Sequence, residues 1–251
     1  MCRLLGVVSR GPRPLTDTLS GLLDPFTALS CEHADGWGVA AWRDGELSVA
    51  KDTSPAHASK AYAQALSPAT DAALLHLRKA SPGLPVTPGN THPFTAGTLA
   101  FAHNGGFSPE HALDGLIDAE ILRGGVGSTD SERFFLRVLT RLRSTDPDPV
   151  DAIARTAADV RAHASFSSLN CLLLTQDALY AYAEEDPESE ASRRRGPDFF
   201  PLWYRARQDS VVVASSGIGA GDGWQVLPYG QVLEIRRADL RVSTHAVLSG
   251  V

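Results

Sequence analysis

The sequence has few cysteines and no apolar run long enough to cross a membrane. Its three cysteines, Cys2, Cys31 and Cys171, are an odd number without paired spacing, so they indicate neither a disulfide framework nor a zinc site. Residues 1–10 lack the long apolar core of a signal peptide, and Arg3 interrupts the apolar residues that are present. These absences predict a soluble, cytoplasmic protein.

Basic residues are outnumbered by acidic ones. The 251 residues include 23 Lys and Arg against 29 Asp and Glu, which gives a formal net charge of −6. A protein that binds nucleic acid usually presents a basic face. The one dense basic run, three arginines at 193–195, stands beside an acidic stretch and is typical of a solvated loop. We therefore expect neither nucleic acid nor a membrane as a partner.

The spacing of apolar residues predicts strands in both halves of the chain and helices near its middle. The predicted strands are 4–8, 37–42, 47–50, 72–77, 98–102, 169–174, 179–183, 211–213 and 232–235. The predicted helices are 55–66, 131–142 and 150–163. Helices grouped between two sets of strands indicate a layered α+β protein whose sheets can pack on each other. We predict one domain over residues 1–251, of which 43% are hydrophobic.

Two connections between these elements have a clear composition. The pair Asp44-Gly45, between two predicted strands, is a hairpin signal. Residues 184–201 are polar, charged and contain proline, so we predict an exposed loop there.

A cysteine at position two has two interpretations. It can be a small buried residue at the start of the first strand. It can also be a nucleophile, if Met1 is removed and Cys2 gains a free α-amine. Such an amine has a pKa near 8, so it can accept the thiol proton near neutral pH and leave the reactive thiolate. The position alone leaves both interpretations open.

Asn104 and Gly105 follow the apolar strand predicted at 98–102. In isolation, an Asn-Gly pair after a strand indicates a tight turn. Alternatively, the Asn104 amide and the Gly105 backbone N–H can converge on the oxygen of a tetrahedral intermediate as an oxyanion hole.

Arg78 and Asp130 are candidates for binding an amino acid by its two charged groups. Arg78 ends the predicted strand 72–77 and is either solvated or a bidentate clamp for an α-carboxylate. Asp130 suits the first turn of a helix, where Thr129 and Glu132 form a capping box, but a carboxylate there can also receive an α-ammonium group.

Two loop motifs remain. Residues 33–38 enter a strand through two glycines, which is typical of a structural turn near a site. His92 lies in a proline-rich loop, the kind of segment that carries binding residues, although a lone loop histidine is usually a surface residue.

Taken together, these motifs resemble the class II glutamine amidotransferases, members of the N-terminal nucleophile hydrolase superfamily. The matching segments, in order, are 1–6 (MCRLLG), 35–38 (DGWG), 76–81 (HLRKAS), 91–94 (THPF), 103–105 (HNG) and 128–132 (STDSE). Residues 169–174 and 211–215 also look like the family. Each motif is weak alone, but six in the family's order together indicate the family. With the two later segments, the resemblance covers nearly the whole chain.

The resemblance implies a four-layer αββα sandwich that uses no metal and no organic cofactor. It implies that Cys2 is the nucleophile and that Asn104 and Gly105 form the oxyanion hole. It also implies that Arg78 and Asp130 hold the glutamyl carboxylate and ammonium groups, and that His92 matches a position in the pocket wall.

The chain departs from the larger amidotransferases at two positions. They usually carry tryptophan and threonine where this chain has Lys79 and Ser81, the version found in short stand-alone members such as the γ-glutamyl hydrolase of ergothioneine biosynthesis. No residues are left for an ammonia-accepting domain. We therefore expect hydrolysis of glutamine or a γ-glutamyl compound. The alternatives are a glutaminase subunit that feeds a separate synthase, and a γ-glutamyl-binding protein without turnover. A synthase partner or a homo-oligomer is left open.

Overall fold

The computed structural model describes residues 1–81, 83–143, 145–218 and 221–246. In this part of the chain the strands are β1 (Arg3–Arg13), β2 (Trp37–Arg43), β3 (Glu46–Asp52), β4 (Thr70–Leu77), β5 (Phe94–Ala96), β6 (Leu99–Ser108), β7 (Ser165–Leu174), β8 (Ala178–Ala183), β9 (Leu202–Ala206), β10 (Ser210–Ser215), β11 (Gln225–Val226), β12 (Gln231–Arg236) and β13 (Val242–Ala246). The predicted domain also includes residues 247–251, which lie outside the described residues.

The α-helices are α1 (Leu15–Thr18), α2 (Leu23–Ala28), α3 (Lys60–Leu66), α4 (Ala119–Arg123), α5 (Asp130–Leu142), α6 (Pro149–His163) and α7 (Glu190–Arg195). Short 3₁₀ helices are Leu29–Cys31, Ala56–Ala58, Pro88–Asn90 and Asp114–Leu116. In the ranges described, no helix is long and apolar enough to span a membrane.

The strands form two antiparallel sheets. The first has the order β11-β9-β10-β1-β4-β2-β3, and the second has the order β13-β12-β8-β7-β6-β5. In the first sheet the N-terminal strand β1 is central, because it pairs with β10 on one side and β4 on the other. The first residues of the chain are therefore held by two neighbouring strands.

Three apolar layers fix the arrangement of the sheets and helices. Side chains of both sheets, including Leu4, Leu74 and Leu172, form a buried layer between them. Helices α2 and α3 cover the outer face of the first sheet, and α5 and α6 cover the outer face of the second. The predicted four-layer αββα sandwich is confirmed.

Most predicted elements are present within a few residues. The Asp44-Gly45 hairpin is confirmed, since both residues have the positive φ values, 52° and 83°, that such a two-residue turn needs. The single helix predicted over 55–66 is divided. Ser59 adopts an extended backbone and its hydroxyl accepts the Tyr62 N–H at 3.2 Å, so a new helix, α3, begins after it.

The exposed loop predicted at 184–201 is confirmed only in part, because most of the segment is exposed or half-buried but some of it is helical. The segment contains α7, and Phe200 is fully buried. The Asn170 amide donates to the carbonyl oxygen of Phe200 at 2.5 Å, and the Ser216 hydroxyl donates to that of Phe199 at 2.5 Å. The two adjacent phenylalanines were the sequence signal for burial that polar composition obscured.

The three arginines at 193–195 are exposed, as predicted, but they lie in α7 and not in a loop. The Arg195 guanidinium lies 5.0 Å from the centre of the Phe199 ring and 3.3 Å from a Glu32 carboxylate oxygen. The Arg3 guanidinium contacts the same ring at 4.3 Å. Phe199 thus joins segment 184–201 to the start of β1.

Gly38 in β2 is required by a close backbone approach. A Cβ atom there would lie 2.0 Å from the carbonyl oxygen of His92 and 2.6 Å from Cδ of Pro93. We expect Gly38→Ala to lower the free energy of unfolding by about 1–3 kcal/mol or more, because a backbone oxygen cannot rotate away. Urea denaturation measures this difference.

Gly115→Ala is the matched control, because a Cβ at Gly115 meets nothing within 4 Å. We expect that variant to stay within about 0.5 kcal/mol of the wild type. Equal stability of the two variants would show that β2 and the His92 segment are not in close contact in solution.

Candidate active site

Cys2 and Arg78 lie side by side at one end of the first sheet. Arg3, the first residue of β1, pairs with Leu77, the last residue of β4, so the residues flanking this pair are neighbours. The Cys2 sulfur lies 3.7 Å from the carbonyl oxygen of Lys79. The Arg3 guanidinium donates to the Cys2 carbonyl oxygen at 3.1 Å. The strand and these contacts hold the half-buried cysteine in place.

The α-amine and the thiol influence each other. Burial raises the pKa of the Cys2 thiol, while the nearby α-amine and the Arg78 guanidinium lower it. Burial also lowers the pKa of the α-amine, here carried by Met1. A less basic amine is more often neutral near neutral pH, so it can accept a proton. The Met1 sulfur lies 3.9 Å from the Ser167 hydroxyl, so the first residue reaches across to the second sheet.

Asn104 does not form a turn. Strand β6 continues through it to Ser108, so the turn interpretation is wrong. Ala100 and Ala102 face the layer between the sheets, and the two-residue alternation places the Asn104 side chain in the same layer. Cys2 faces that layer too, two residues before Leu4.

The Asn104 amide is fully buried, and neither its nitrogen nor its oxygen has a hydrogen-bond partner among the described residues. An unpaired buried amide costs about 1–3 kcal/mol. Buried polar groups in native proteins are usually paired, so an atom of a ligand or a water is the natural partner here. The amide N–H is therefore available to a substrate oxygen.

Gly105 allows β6 to approach β7 closely. A Cβ atom at this position would lie 1.8 Å from the Ser168 carbonyl oxygen. The neighbouring His103 ring is held at 2.8 Å from the Ser131 hydroxyl and 3.1 Å from that same Ser168 oxygen. The backbone around Asn104 is thus fixed by β7 and by the first turn of α5.

The Arg78 guanidinium is buried with one free nitrogen. Its Nη2 donates to the Pro85 carbonyl oxygen at 3.0 Å, whereas Nη1 has no partner in the described ranges. Burial lowers the pKa of Arg78, but an arginine stays charged in proteins. A buried cation with a free donor is suited to bind a carboxylate.

Asp35 stabilises the segment that carries Arg78. The motif at 33–38 predicts only a turn near the site and not this contact. The Asp35 carboxylate accepts the Ala80 N–H at 2.8 Å, and the Arg78 N–H donates to the Gly36 carbonyl oxygen at 2.8 Å. The sequence signal for this contact is the aspartate that precedes Gly36 and Gly38, but it does not identify Ala80 as the residue that Asp35 binds.

Asp130 begins α5 beside the strand that carries Asn104. Its carboxylate accepts the Phe107 N–H at 2.8 Å, and its charge acts on the Cys2 thiol. The predicted capping box is half formed. Thr129 accepts the Glu132 N–H at 3.1 Å, but the Glu132 carboxylate accepts N–H groups of residues 126 and 127 instead of that of Thr129.

His92 is not a surface residue. Its ring is 4% exposed, lies 4.1 Å from the His76 ring and contacts Phe94 edge-on at 4.6 Å. Burial lowers the pKa of His92 well below its usual range, so the ring is neutral. His76, the first residue of the motif 76–81 but not predicted as a site residue, therefore shares the buried polar region near Arg78.

An open cavity of about 680 Å³ lies beside these residues. Asp130, Gly106 and Ser81 are among the residues that line it. The lining also includes the acidic residues Glu110, Asp186, Glu188 and Glu190 and the basic residue Arg194. The cavity can admit a molecule larger than ammonia, and its wall favours neutral or cationic groups. Among the described residues, no three His, Cys, Asp or Glu side chains are grouped to hold a metal ion.

Comparisons with known proteins agree with this arrangement. The family model of class-II glutamine amidotransferases matches residues 1–247. An uncharacterized protein of Methanocaldococcus jannaschii is 31% identical over 198 residues, which cover 73% of this chain and 51% of that protein. The chain thus spans about half the length of that relative.

Solved structures share the fold at low sequence identity. A glutamine aminotransferase class-II domain protein from Silicibacter pomeroyi is 23% identical with a TM-score of 0.68, covering 98% of this chain and 99% of that one. A predicted glutamine amidotransferase from Pseudomonas aeruginosa is 21% identical with a TM-score of 0.58, covering 95% and 99%. Glutamine phosphoribosylpyrophosphate amidotransferase from B. subtilis is 19% identical with a TM-score of 0.66, covering 100% and 50%.

The Asn104 amide has no hydrogen-bond partner among the described residues, and this can be tested by comparison with Asn170, the residue opposite it on β7. Asn170 pairs in register with Asn104, but its amide donates to Phe200 at 2.5 Å and accepts the Glu184 N–H at 2.9 Å. We expect Asn170→Ala to lower the free energy of unfolding by about 2 kcal/mol or more, since it leaves two buried groups unpaired.

Asn104→Ala should change the free energy of unfolding by less than about 1 kcal/mol, because its amide makes no such bonds. Chemical denaturation of both variants measures the contrast. A loss for Asn104→Ala as large as that for Asn170→Ala would mean that the amide has a partner within the folded protein.

Proposed function

The chain belongs to the class II glutamine amidotransferase family, and on that premise we propose that it is a cytoplasmic, stand-alone cysteine amidohydrolase formed by a single domain of residues 1–251. It cleaves the γ-amide bond of glutamine or of a γ-glutamyl compound and releases glutamate. The observation that carries the proposal is the buried Asn104 amide, which has no hydrogen-bond partner among the described residues and faces the same layer as Cys2. The free donor of Arg78 supports it.

The proposed reaction starts after removal of Met1. The α-amine of Cys2 accepts the thiol proton, and the thiolate sulfur attacks the γ-carbonyl carbon. The Asn104 side-chain N–H and the Gly105 backbone N–H stabilise the resulting oxyanion. The C–N bond then breaks, and the amine leaves with the proton from the α-amine. A thioester between Cys2 and the glutamyl group remains.

Water completes the reaction. It gives one proton to the α-amine, its oxygen attacks the thioester carbon, and the C–S bond breaks to release glutamate and the thiol. Throughout, Arg78 holds the α-carboxylate and Asp130 the α-ammonium group of the glutamyl unit. His92, which is buried against the His76 ring, forms part of the pocket wall.

The cavity of about 680 Å³ supports a leaving amine larger than ammonia. The experiment is a panel of γ-glutamyl compounds, glutamine included, whose leaving amines are neutral, cationic or anionic. Glutamate release is measured without any partner protein. Turnover of one or more compounds supports the hydrolase. Activity on glutamine that appears only when a synthase is added identifies a glutaminase subunit instead, and tight binding without turnover identifies a binding protein.

Cys2→Ala is expected to abolish glutamate release, because no thiolate remains to form the thioester. Far-UV circular dichroism and the melting temperature should stay close to those of the wild type. Cys31→Ala is the matched control, since Cys31 is exposed and lies outside the proposed site. Full activity of Cys2→Ala would contradict the assignment of the nucleophile.

Intact mass of the same active preparation tests the proposed base. We expect the mass of the chain without Met1, because only then does Cys2 carry the free amine. An active enzyme that retains Met1 would contradict the amine mechanism without affecting the assignment of the thiol.

Arg78→Lys is expected to raise KM by about 10- to 100-fold, because a lysine cannot reproduce the two parallel donors of a guanidinium on a carboxylate. Arg43→Lys is the control, since Arg43 ends β2 on the side away from Cys2. Steady-state kinetics on the best substrate of the panel measures both variants. An unchanged KM for Arg78→Lys would rule out the carboxylate clamp.

A further inference from the structure

A second cavity, of about 560 Å³, lies between β5 and the helices α4 and α5. It shares no lining residue with the cavity beside Asp130. Its walls are mostly apolar and include Phe94, Leu99, Phe135, Leu136 and Leu139. The volume lies within the range of small-molecule sites, which are usually apolar clefts with a few polar groups.

Lys51 places a positive charge at this cavity. Its ammonium group donates to the carbonyl oxygens of Thr91 at 2.7 Å and Pro93 at 3.3 Å. An ammonium group has three donors, so one N–H remains. No carboxylate in the described part of the chain lies within ion-pair distance of Lys51. Burial lowers the pKa of Lys51, which shows that its charge is poorly solvated.

The other charges at the cavity are already compensated. The Glu132 carboxylate accepts the N–H groups of Val126 and Gly127 at 2.8 and 2.9 Å and pairs with the Arg133 guanidinium at 3.2 Å. Glu120 and Arg143 pair with each other at 3.0 Å. Among the residues described, Lys51 is therefore the charged group at this cavity without a direct ion pair. The Glu132 carboxylate acts on its charge only at longer range and already accepts from other donors.

We propose that this cavity binds a small apolar carboxylate. The hydrocarbon or aromatic body packs against the apolar walls, and the carboxylate pairs with the Lys51 ammonium group. Apolar contact area supplies affinity, and the partly buried ion pair selects an anion over a neutral or cationic molecule of the same shape.

The site is connected to the proposed active site through Lys51. Lys51 donates to the carbonyl groups of Thr91 and Pro93, which lie on either side of His92 in the chain. The His92 ring contacts the His76 ring at 4.1 Å. Residues 91–93 therefore link the Lys51 cavity to the proposed pocket wall.

Isothermal titration calorimetry with octanoate, octanamide and octylamine tests the proposal. We expect octanoate to bind about tenfold or more tightly than the other two, since they lack the negative charge. The full-length protein is used, and binding is read without turnover, so the result is independent of the proposed hydrolase activity. Equal affinity for all three probes, or no binding of octanoate, overturns the proposal.

Three variants locate the site. Lys51→Met should reduce octanoate affinity about tenfold or more and leave octanamide affinity unchanged, whereas Lys51→Arg should retain octanoate binding. Ala96→Phe should abolish binding of every probe, because Ala96 lines the cavity and the larger ring fills it. Lys60→Met, at the exposed start of α3, is the control. Unchanged octanoate affinity in Lys51→Met or in Ala96→Phe contradicts the proposal.

Discussion

The pairing of β1 with its two neighbours is the constraint on which the rest of the site depends. Chain termini are usually poorly ordered unless a regular element holds them. Here the ladder with β4 starts at Arg3 and the ladder with β10 at Leu5, and the Leu4 N–H also donates to the Ser215 hydroxyl at 3.0 Å. Cys2 is therefore positioned by the centre of a seven-stranded sheet.

The same packing creates a polar region at one end of an otherwise apolar layer. Leu4, Leu74 and Ala102 fill the space between the sheets, but the next side chains along their strands are Cys2, His76 and Asn104. Of these, the His76 ring and the Asn104 amide have no hydrogen-bond partner among the described residues. Buried polar groups without partners reduce stability, and native proteins keep them mainly at functional sites. The surrounding apolar layers supply the stability that tolerates them, and glycines 38 and 105 let the backbones close around them.

Much of the fold was predictable from the sequence. Local backbone preferences determine most strands, the Asp44-Gly45 hairpin and the two long helices. These elements therefore have recognisable local sequence patterns. The helix predicted over 55–66 was divided because one residue, Ser59, caps a new helix. Segment 184–201 is exposed over much of its length, as its polar composition predicts, but that average composition did not indicate α7 or the burial of Phe200.

The candidate site, like the fold, was predictable from the sequence only in part. The sequence by itself determined which residue types are present in family order: a thiol at position two, an Asn-Gly pair, an arginine after a strand and an aspartate at a helix start. Only the tertiary structure decided that Arg78 is adjacent to Cys2, that Asn104 stays within a strand, and that His92 is buried. Pairing between strands and packing between sheets join residues distant in the chain. A local pattern therefore specifies each group but not its neighbours.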